Sequence, residues 1–360
     1  MLGLRQILIT QFRNFPYGHF EFSDRVVAFC GPNGVGKTNL LDAIHYLCFT
    51  KSYFSRSDPG SVRTGCQGFR IEGDWSMHDA PLQTVCILRE NGKKEFIVNG
   101  ETCNRFSAHI GRLPVVFIAP DDIALVSEGP EGRRRFIDTI LSQTDPEYLQ
   151  MLIRHNKILQ ERNSLLKQIA TQPSIGYSLL EVIDDQFSAA GTWIFKAREA
   201  FMKEFLPQVL FFYEVVAGEL ERPELFYVSP LQQKPLDGLL KESRQHDIML
   251  QRTRHGIHRD DIELRLHGEA FRQMGSQGQR KSMLFALKLA EFEVLKIAKG
   301  FAPLLLLDDL FEKLDETRMQ NLLDWVCREN GGQVFLTDTH EGRIREVLGR
   351  SGVEFQMIRL

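Results

Sequence analysis

The sequence lacks the features that would place it in several classes at once. Its six cysteines, Cys30, Cys48, Cys66, Cys86, Cys103 and Cys327, are scattered with no Cys-x-x-Cys pair. A zinc site and a disulfide framework are therefore not expected, and a reducing compartment fits. No apolar run reaches the ~18 residues of a membrane-spanning helix. The opening MLGLRQILITQFRNF alternates polar and apolar residues and has no secretory-leader core. Internal repeats and low-complexity tracts are missing as well. Net charge is only −3, so any nucleic-acid contact must come from a local patch rather than the global field. These absences together predict a cytoplasmic protein with no membrane attachment.

What is present is an ordinary globular composition, with 43% hydrophobic and 25% charged residues over 360 positions, enough for about two domain-sized units. Strand texture fills the first part: LRQILITQ, HFEF and RVVAFC, then FRIEGDW, QTVCILRE, KEFIVNG and PVVFIA. The Asn-Gly pair in ENGKKE marks a hairpin turn. From about residue 130 long amphipathic helical patterns take over, and strand texture returns at DDIELRLHG. The reading is one α/β unit made of residues 1–127 and 250–360, interrupted by a mainly helical arm at 128–249.

Three motifs carry chemistry. Gly31-Pro32-Asn33-Gly34-Val35-Gly36-Lys37-Thr38 matches G-x-x-x-x-G-K-[ST] in full. Its glycines let backbone N–H groups close around phosphate oxygens, Lys37 reaches the outer phosphates, and the Thr38 hydroxyl suits Mg²⁺. The apolar strand VVAFC before it and an apolar helix after it are the context this mechanism requires; Asn39 follows directly in that helix.

The second motif is Leu304-Leu305-Leu306-Leu307-Asp308-Asp309, a continuous apolar run ending in two carboxylates. Such runs are strands buried on both faces, and ligand chemistry in open α/β sheets sits at their carboxyl ends. Asp308 is placed to hold the Mg²⁺ of a nucleotide and Asp309 to take a proton from an attacking water. Asp315 is expected to cap the helix that follows.

The third motif is MGSQGQRKSM at 274–283. Ser276 is a natural N-cap, yet the first turns carry Arg280 and Lys281 and the next acid is Glu291. Cations at a helix N-terminus are unfavourable by a few tenths of a kcal/mol each. The chain's own phosphate loop already has its helix N-terminus, so this second anion site suits a different nucleotide molecule. That is the logic of head-type ATPases, in which two subunits sandwich two ATPs and each Ser-x-Gly-Gln turn caps the partner's γ-phosphate. Ser276, Gly278 and Gln279 stand in that pattern.

Taken in order, FRNF (12–15), GPNGVGKTNLLDAI (31–44), EGPEGRRRFID (128–138), QERNSLLK (160–167), GIHRDD (256–261), SQGQRKS (276–282) and LLLLDDLFEKLD (304–315) resemble the RecF family of DNA replication and repair proteins over the whole chain. The resemblance implies a head like those of SMC-type proteins with a short helical arm. It implies ATP and Mg²⁺ as cofactors, an ATP-dependent homodimer, weak DNA-stimulated hydrolysis, and binding to duplex DNA or single-strand/double-strand junctions. It also implies work with RecR and RecO to place RecA at single-strand gaps and stalled forks.

Departures and weaker candidates remain. The strand after the acidic motif ends Thr337-Asp338-Thr339-His340, which puts His340 two residues late for a γ-phosphate contact and favours Thr337. No glutamine-loop residue stands out near Pro120-Asp121-Asp122. Arg13 is read as a nucleotide contact or an exposed hairpin arginine. Consecutive Arg133, Arg134 and Arg135 cannot share one helix face, which favours packing within the arm over DNA contact. Arg154, Lys157, Arg162 and Lys167 read as a solvated face. His255, His258, Asp260 and Asp261 read as a structural turn rather than a metal cluster. A transporter ATP-binding subunit, a small-molecule kinase and a DNA scaffold with a vestigial nucleotide site are the rival readings.

Overall fold

The computed structural model describes residues 1–55, 57–172, 177–218, 221–309, 316–329 and 331–360. Asp315 lies outside the described residues. The strands are β1 (Leu2–Phe12), β2 (Phe15–Glu21), β3 (Val26–Cys30), β4 (Phe69–Met77), β5 (Ala80–Leu88), β6 (Lys94–Val98), β7 (Glu101–Thr102), β8 (Val115–Ile118), β9 (Pro223–Val228), β10 (Asp261–Leu266), β11 (Glu269–Ala270), β12 (Leu304–Leu307), β13 (Val334–Asp338) and β14 (Phe355–Arg359). The helices are α1 (Lys37–Phe49), α2 (Ala124–Ser127), α3 (Pro130–Thr144), α4 (Pro146–Thr171), α5 (Ser178–Ala217), α6 (Leu236–Leu250), α7 (Phe271–Met274), α8 (Gln277–Lys299), α9 (Glu316–Asp324) and α10 (Glu341–Arg350). The chain divides into two compact units, one of residues 1–123, 211–221 and 276–360, the other of 124–210 and 222–275.

The first unit holds two sheets. One is antiparallel, in the order β2-β1-β4-β5-β6-β7, with the expected hairpin at Gly92 pairing Leu88 with Lys94. The other has the order β14-β3-β13-β12-β8, and each of its pairings is parallel. Helix α1 packs against strands of both sheets. Accordingly it is apolar nearly all round, with every residue from Leu40 to Phe49 buried, as a helix enclosed on all sides must be. Leu304 to Leu307 are fully buried, each contributing about 2 kcal/mol by transfer from water. Strands β3, β13 and β12 lie side by side and end at the same edge, which is where the phosphate loop and the acidic pair emerge.

The second unit combines α2 to α7 with the three-stranded sheet β11-β10-β9. β9 was not legible in the sequence, because the alternation in PELFYV is short and its outward faces are exposed. Buried ion pairs organise this unit. Arg198 on α5 donates to Asp138, Asp260 and the Ile257 carbonyl at 2.7 to 2.8 Å. Arg133 is also buried and makes a two-pronged pair with Asp261, at 2.7 and 2.9 Å, while Arg134 donates to the Asp260 carbonyl. Packing is thus what Arg133 and Arg134 do, and Asp260 and Asp261 are engaged as ion-pair partners.

Arg162 corrects the solvated-face expectation. It is fully buried and donates to Asp184, Asp247 and Thr253 at 2.7 to 2.8 Å. Its position is the cause: His155, Ile158, Leu165, Leu166 and Ile169 are buried at helical spacing around it, so Arg162 falls on the packed stripe. Arg154, Lys157 and Lys167 lie outside that stripe and are exposed.

His155 stacks on Phe187 with ring centroids 4.7 Å apart, and burial lowers its pKa to about 3. The unfolded chain, with an ordinary imidazole, takes up the proton first as pH falls. The stabilising contribution is therefore full above the unfolded value of about 6.5 and is lost as pH drops toward the folded one. His155→Leu should reduce the loss of stability between pH 7.5 and 5.5 by about 1 kcal/mol. Urea unfolding at the two pH values measures it, and an unchanged pH dependence would contradict the assignment.

Candidate functional site

The phosphate loop runs from the end of β3 into α1. Gly36 caps the helix at φ 116°, a left-handed conformation, and a Cβ there would meet the Asn14 side chain at 2.6 Å. Only glycine fits on both counts. Asn14, which the sequence reading passed over, braces the loop: its Nδ2 donates to the Val35 carbonyl at 2.7 Å and its Oδ1 accepts from Asn39 Nδ2 at 2.7 Å. The available signal was an asparagine in the tight turn between two strands, just after Arg13 at φ 53°. Asn39 is thus tied to the same brace. Gly31, Asn33 and Gly34 form the loop's outer run, with Asn33 and Gly34 exposed.

Lys37 is buried, and its ammonium donates to the Gly31 and Pro32 carbonyls at 2.7 and 3.1 Å. Those carbonyl oxygens stand in for the phosphate oxygens that a P-loop lysine meets. The Thr38 hydroxyl lies 3.0 and 2.9 Å from the two carboxylate oxygens of Asp308. Burial raises the Asp308 pKa to about 6, against the lowering effect of its bonds to Thr337 and Thr38. A hard oxygen pair with a desolvated carboxylate fits Mg²⁺, which would restore full ionisation to Asp308.

Thr337, fully buried at the end of β13, orders the acidic pair. Its hydroxyl donates to Asp308 at 2.9 Å and accepts the Asp309 N–H at 2.8 Å. Asp309 sits at φ 43°, in the left-handed region that Asp tolerates better than most residues. His340 is exposed at the start of α10, its N–H bonded to Asp338 at 2.6 Å.

Arg13 has a partner set of its own, donating to Gly60, Asp42 and Ser52 at 3.0 to 3.1 Å. Burial raises the Asp42 pKa, opposed by Ser52, the Tyr53 N–H and Arg13. The guanidinium thus anchors α1.

Ser276 caps α8 as expected and completes a capping box. Its Oγ accepts the Gln279 N–H at 3.2 Å, and Gln279 Oε1 accepts the Ser276 N–H at 2.8 Å. The first turn carries no acid. Arg318 of α9, also unforeseen, lies beside Gly278 and donates to Ser282 and Glu221 at 2.5 and 3.1 Å.

A parallel sheet whose adjacent strand ends bring together a phosphate loop, an acidic pair and an ordering threonine defines the class: a phosphate-loop ATPase fold of the ABC and SMC head type. A family model described as an AAA domain matches residues 6–188. The DNA replication and repair protein RecF of Flavobacterium johnsoniae is 38% identical over 359 residues, covering 100% of both chains; that of Bacteroides fragilis is 39% identical over 358 residues, covering 99% of this chain and 96% of the relative. The solved structure of the recombination mediator protein RecF-ATPrS in the RecFOR pathway superposes with a TM-score of 0.88 at 29% identity, over 100% of this chain and 96% of that one. An SMC head bound to the C-winged helix domain of ScpA shares the fold, with a TM-score of 0.54 at 13% identity, over 94% of this chain and 90% of that one. The chain belongs to the RecF family of DNA replication and repair proteins.

Asn14→Ala, by releasing the loop's brace, should weaken nucleotide binding about tenfold with little change in melting temperature. A fluorescent-ATP titration reads it, and parental affinity would show that the loop holds its shape unaided.

Proposed function

We propose that this chain binds ATP with Mg²⁺ and acts as a DNA-binding recombination mediator, pairing into a homodimer when ATP is bound and hydrolysing it slowly. The observation that carries the reading is the meeting of Thr38, Asp308 and Thr337 at one sheet edge, next to a braced phosphate loop. Gly31, Asn33, Gly34, Gly36 and Lys37 would hold the phosphates, and Thr38 with Asp308 the Mg²⁺, which supplies charge neutralisation there. Asp309 is the base for the attacking water. An aspartate in that place reaches less far than a glutamate, which suits a switch rather than a fast enzyme.

The α8 turn suits the role of cap on a partner's nucleotide. The capping box uses the N–H groups of Ser276 and Gln279, and the Arg280 N–H bonds to the Ser276 carbonyl. The N–H groups of Gln277 and Gly278 remain as donors at a turn already lined by cations. Relatives of this length and similarity carry the repair role in their name, and a RecF solved with ATP is among the similar structures. In this reading the unit of residues 1–123, 211–221 and 276–360 supplies the ATPase head, and the unit of 124–210 and 222–275, which the sequence reading bounded at 128 and 249, the arm. DNA, as duplex or as a single-strand/double-strand junction, stimulates the weak hydrolysis, and the dimer works with RecR and RecO to place RecA at gaps and stalled forks. No helix of the described residues is long and apolar enough to cross a membrane.

The test is the molar mass of Asp309→Asn by light scattering after gel filtration. Mass should double with ATP and Mg²⁺ and stay single without them. Ser276→Arg added to it should bind ATP normally yet stay monomeric, whereas Lys37→Met should lose nucleotide. Doubling by the Ser276→Arg protein would refute the capping role, and a parent mass indifferent to bound ATP would refute ATP-driven pairing.

A further inference from the structure

Helix α8 carries a buried ammonium that nothing in the nucleotide chemistry uses. Lys288 is 4% exposed. Its Nζ lies 3.6 Å from Asp122, 3.6 Å from Glu291 and 3.4 Å from the Tyr53 hydroxyl. Tyr53 in turn donates to Asp122 at 2.5 Å, and the second Asp122 oxygen accepts the Ala119 N–H at 2.9 Å. The Tyr53 ring stacks on Phe117 of β8 at 4.3 Å.

The cluster touches the nucleotide site by two routes. The Tyr53 N–H donates to Asp42 at 2.7 Å, and Asp42 lies on α1, the helix that begins with Lys37 and Thr38. Asp122 sits just past β8, whose Ile118 carbonyl accepts the N–H of Asp308 at 2.9 Å. From Lys288 the rigid α8 leads back about three turns to Ser276 and Gly278.

Among the described residues, the contacts of Lys288 with Asp122, Glu291 and Tyr53 run from 3.4 to 3.6 Å. A buried ion pair is weak evidence of a stabilising role, because apolar residues of similar volume often serve stability as well or better. Burial raises the Glu291 pKa to about 7 against the pull of Lys288, whereas Asp122, Tyr53 and Glu291 outweigh burial at Lys288 and keep its ammonium charged. What the cluster supplies is a polar joint between α1, the sheet edge and α8.

We propose that Lys288 is a positioning residue: through Tyr53 and Asp122 it sets α8 against the edge of the nucleotide sheet, so that loading of the chain's own phosphate loop orients the 276–279 turn for a partner. This rests on the ATP-driven pairing proposed above. The joint makes the two functions of one head, holding its own nucleotide and capping another, depend on each other.

Three variants in the Asp309→Asn background test it: Lys288→Met/Glu291→Leu, which removes the ion pair and leaves Asp122 bonded to Tyr53 and Ala119; Tyr53→Phe, which removes one hydroxyl; and Lys288→Arg, which keeps the charge. Fluorescent-ATP affinity of dilute protein and the dimer dissociation constant with ATP and Mg²⁺ are measured for each. Nucleotide affinity should stay within about twofold of the parent throughout, while the dimer weakens about tenfold or more in the double variant, by a smaller factor in Tyr53→Phe, and recovers in Lys288→Arg. Undiminished pairing in the double variant and Tyr53→Phe would overturn the proposal, as would parallel loss of affinity and pairing, the mark of a merely structural role. If the parent itself fails to double with ATP bound, the pairing reading falls and takes this one with it; doubling of the parent alongside unaffected variants sinks only the role of Lys288.

Discussion

A single hydroxyl-to-carboxylate contact joins residues 270 positions apart: Thr38 at the start of α1 meets Asp308 at the end of β12. The nucleotide chemistry proposed for this chain depends on that meeting, because one residue supplies the hydroxyl and the other the charge that a divalent cation requires. The contact exists because β3, β13 and β12 are neighbours in one parallel sheet and so deliver their carboxyl ends to one edge. Thr337, from the strand between them, bonds both members of the acidic pair. The geometry is set by sheet order rather than by any local run of sequence.

Charge is buried within each unit. Asp42 beside the half-buried Arg13, and Lys288 with Asp122 and Glu291, lie in the first; Arg162 with Asp184 and Asp247 lies in the second. Stability alone is a poor reason for such groups, since desolvation of each ion costs several kcal/mol and the attraction repays it only in good geometry. Their directions are informative. Arg13 and Asp42 fix α1 from the β1–β2 turn, whose next residue, Asn14, fixes the phosphate loop. Two consecutive side chains in one tight turn thus hold both the helix and the loop in front of it.

How much of this was legible depended on range. The phosphate loop, the acidic strand and the Ser276 cap are local patterns with fixed spacing, and the apolar strands announced themselves by periodicity, so the class was readable, as were the motifs of the candidate site. What escaped was decided by tertiary neighbours. Asn14 looks like any turn residue until Gly36 is seen pressed against it. Arg162 carries a charge that composition assigns to solvent, and only the buried stripe of α4, together with acids on α5 and α6, shows otherwise. Thr337 was favoured over His340 for a polar contact, but its bonds to the acidic pair need β12 and β13 side by side and could not be read from the sequence. Arg318 is remote in sequence from the turn it lies against.

The first turn of α8 shows why a misfit can be kept. That turn carries no acid while Arg280 and Lys281 follow directly, and Arg318, paired with Glu221, lies beside Gly278. At a partly exposed helix end each cation costs only a few tenths of a kcal/mol, which a protein of this size tolerates. A terminal phosphate brought to the same turn would reverse the sign of every one of those terms together. In the two-fold pair proposed for this chain the surfaces would be the same on both partners, and each turn would meet the nucleotide on the other's loop. A pair with one loop empty would keep one turn unsatisfied and half of its favourable terms. Pairing built on this turn would therefore report the loading of both loops, which a turn already neutralised by its own acids would not do.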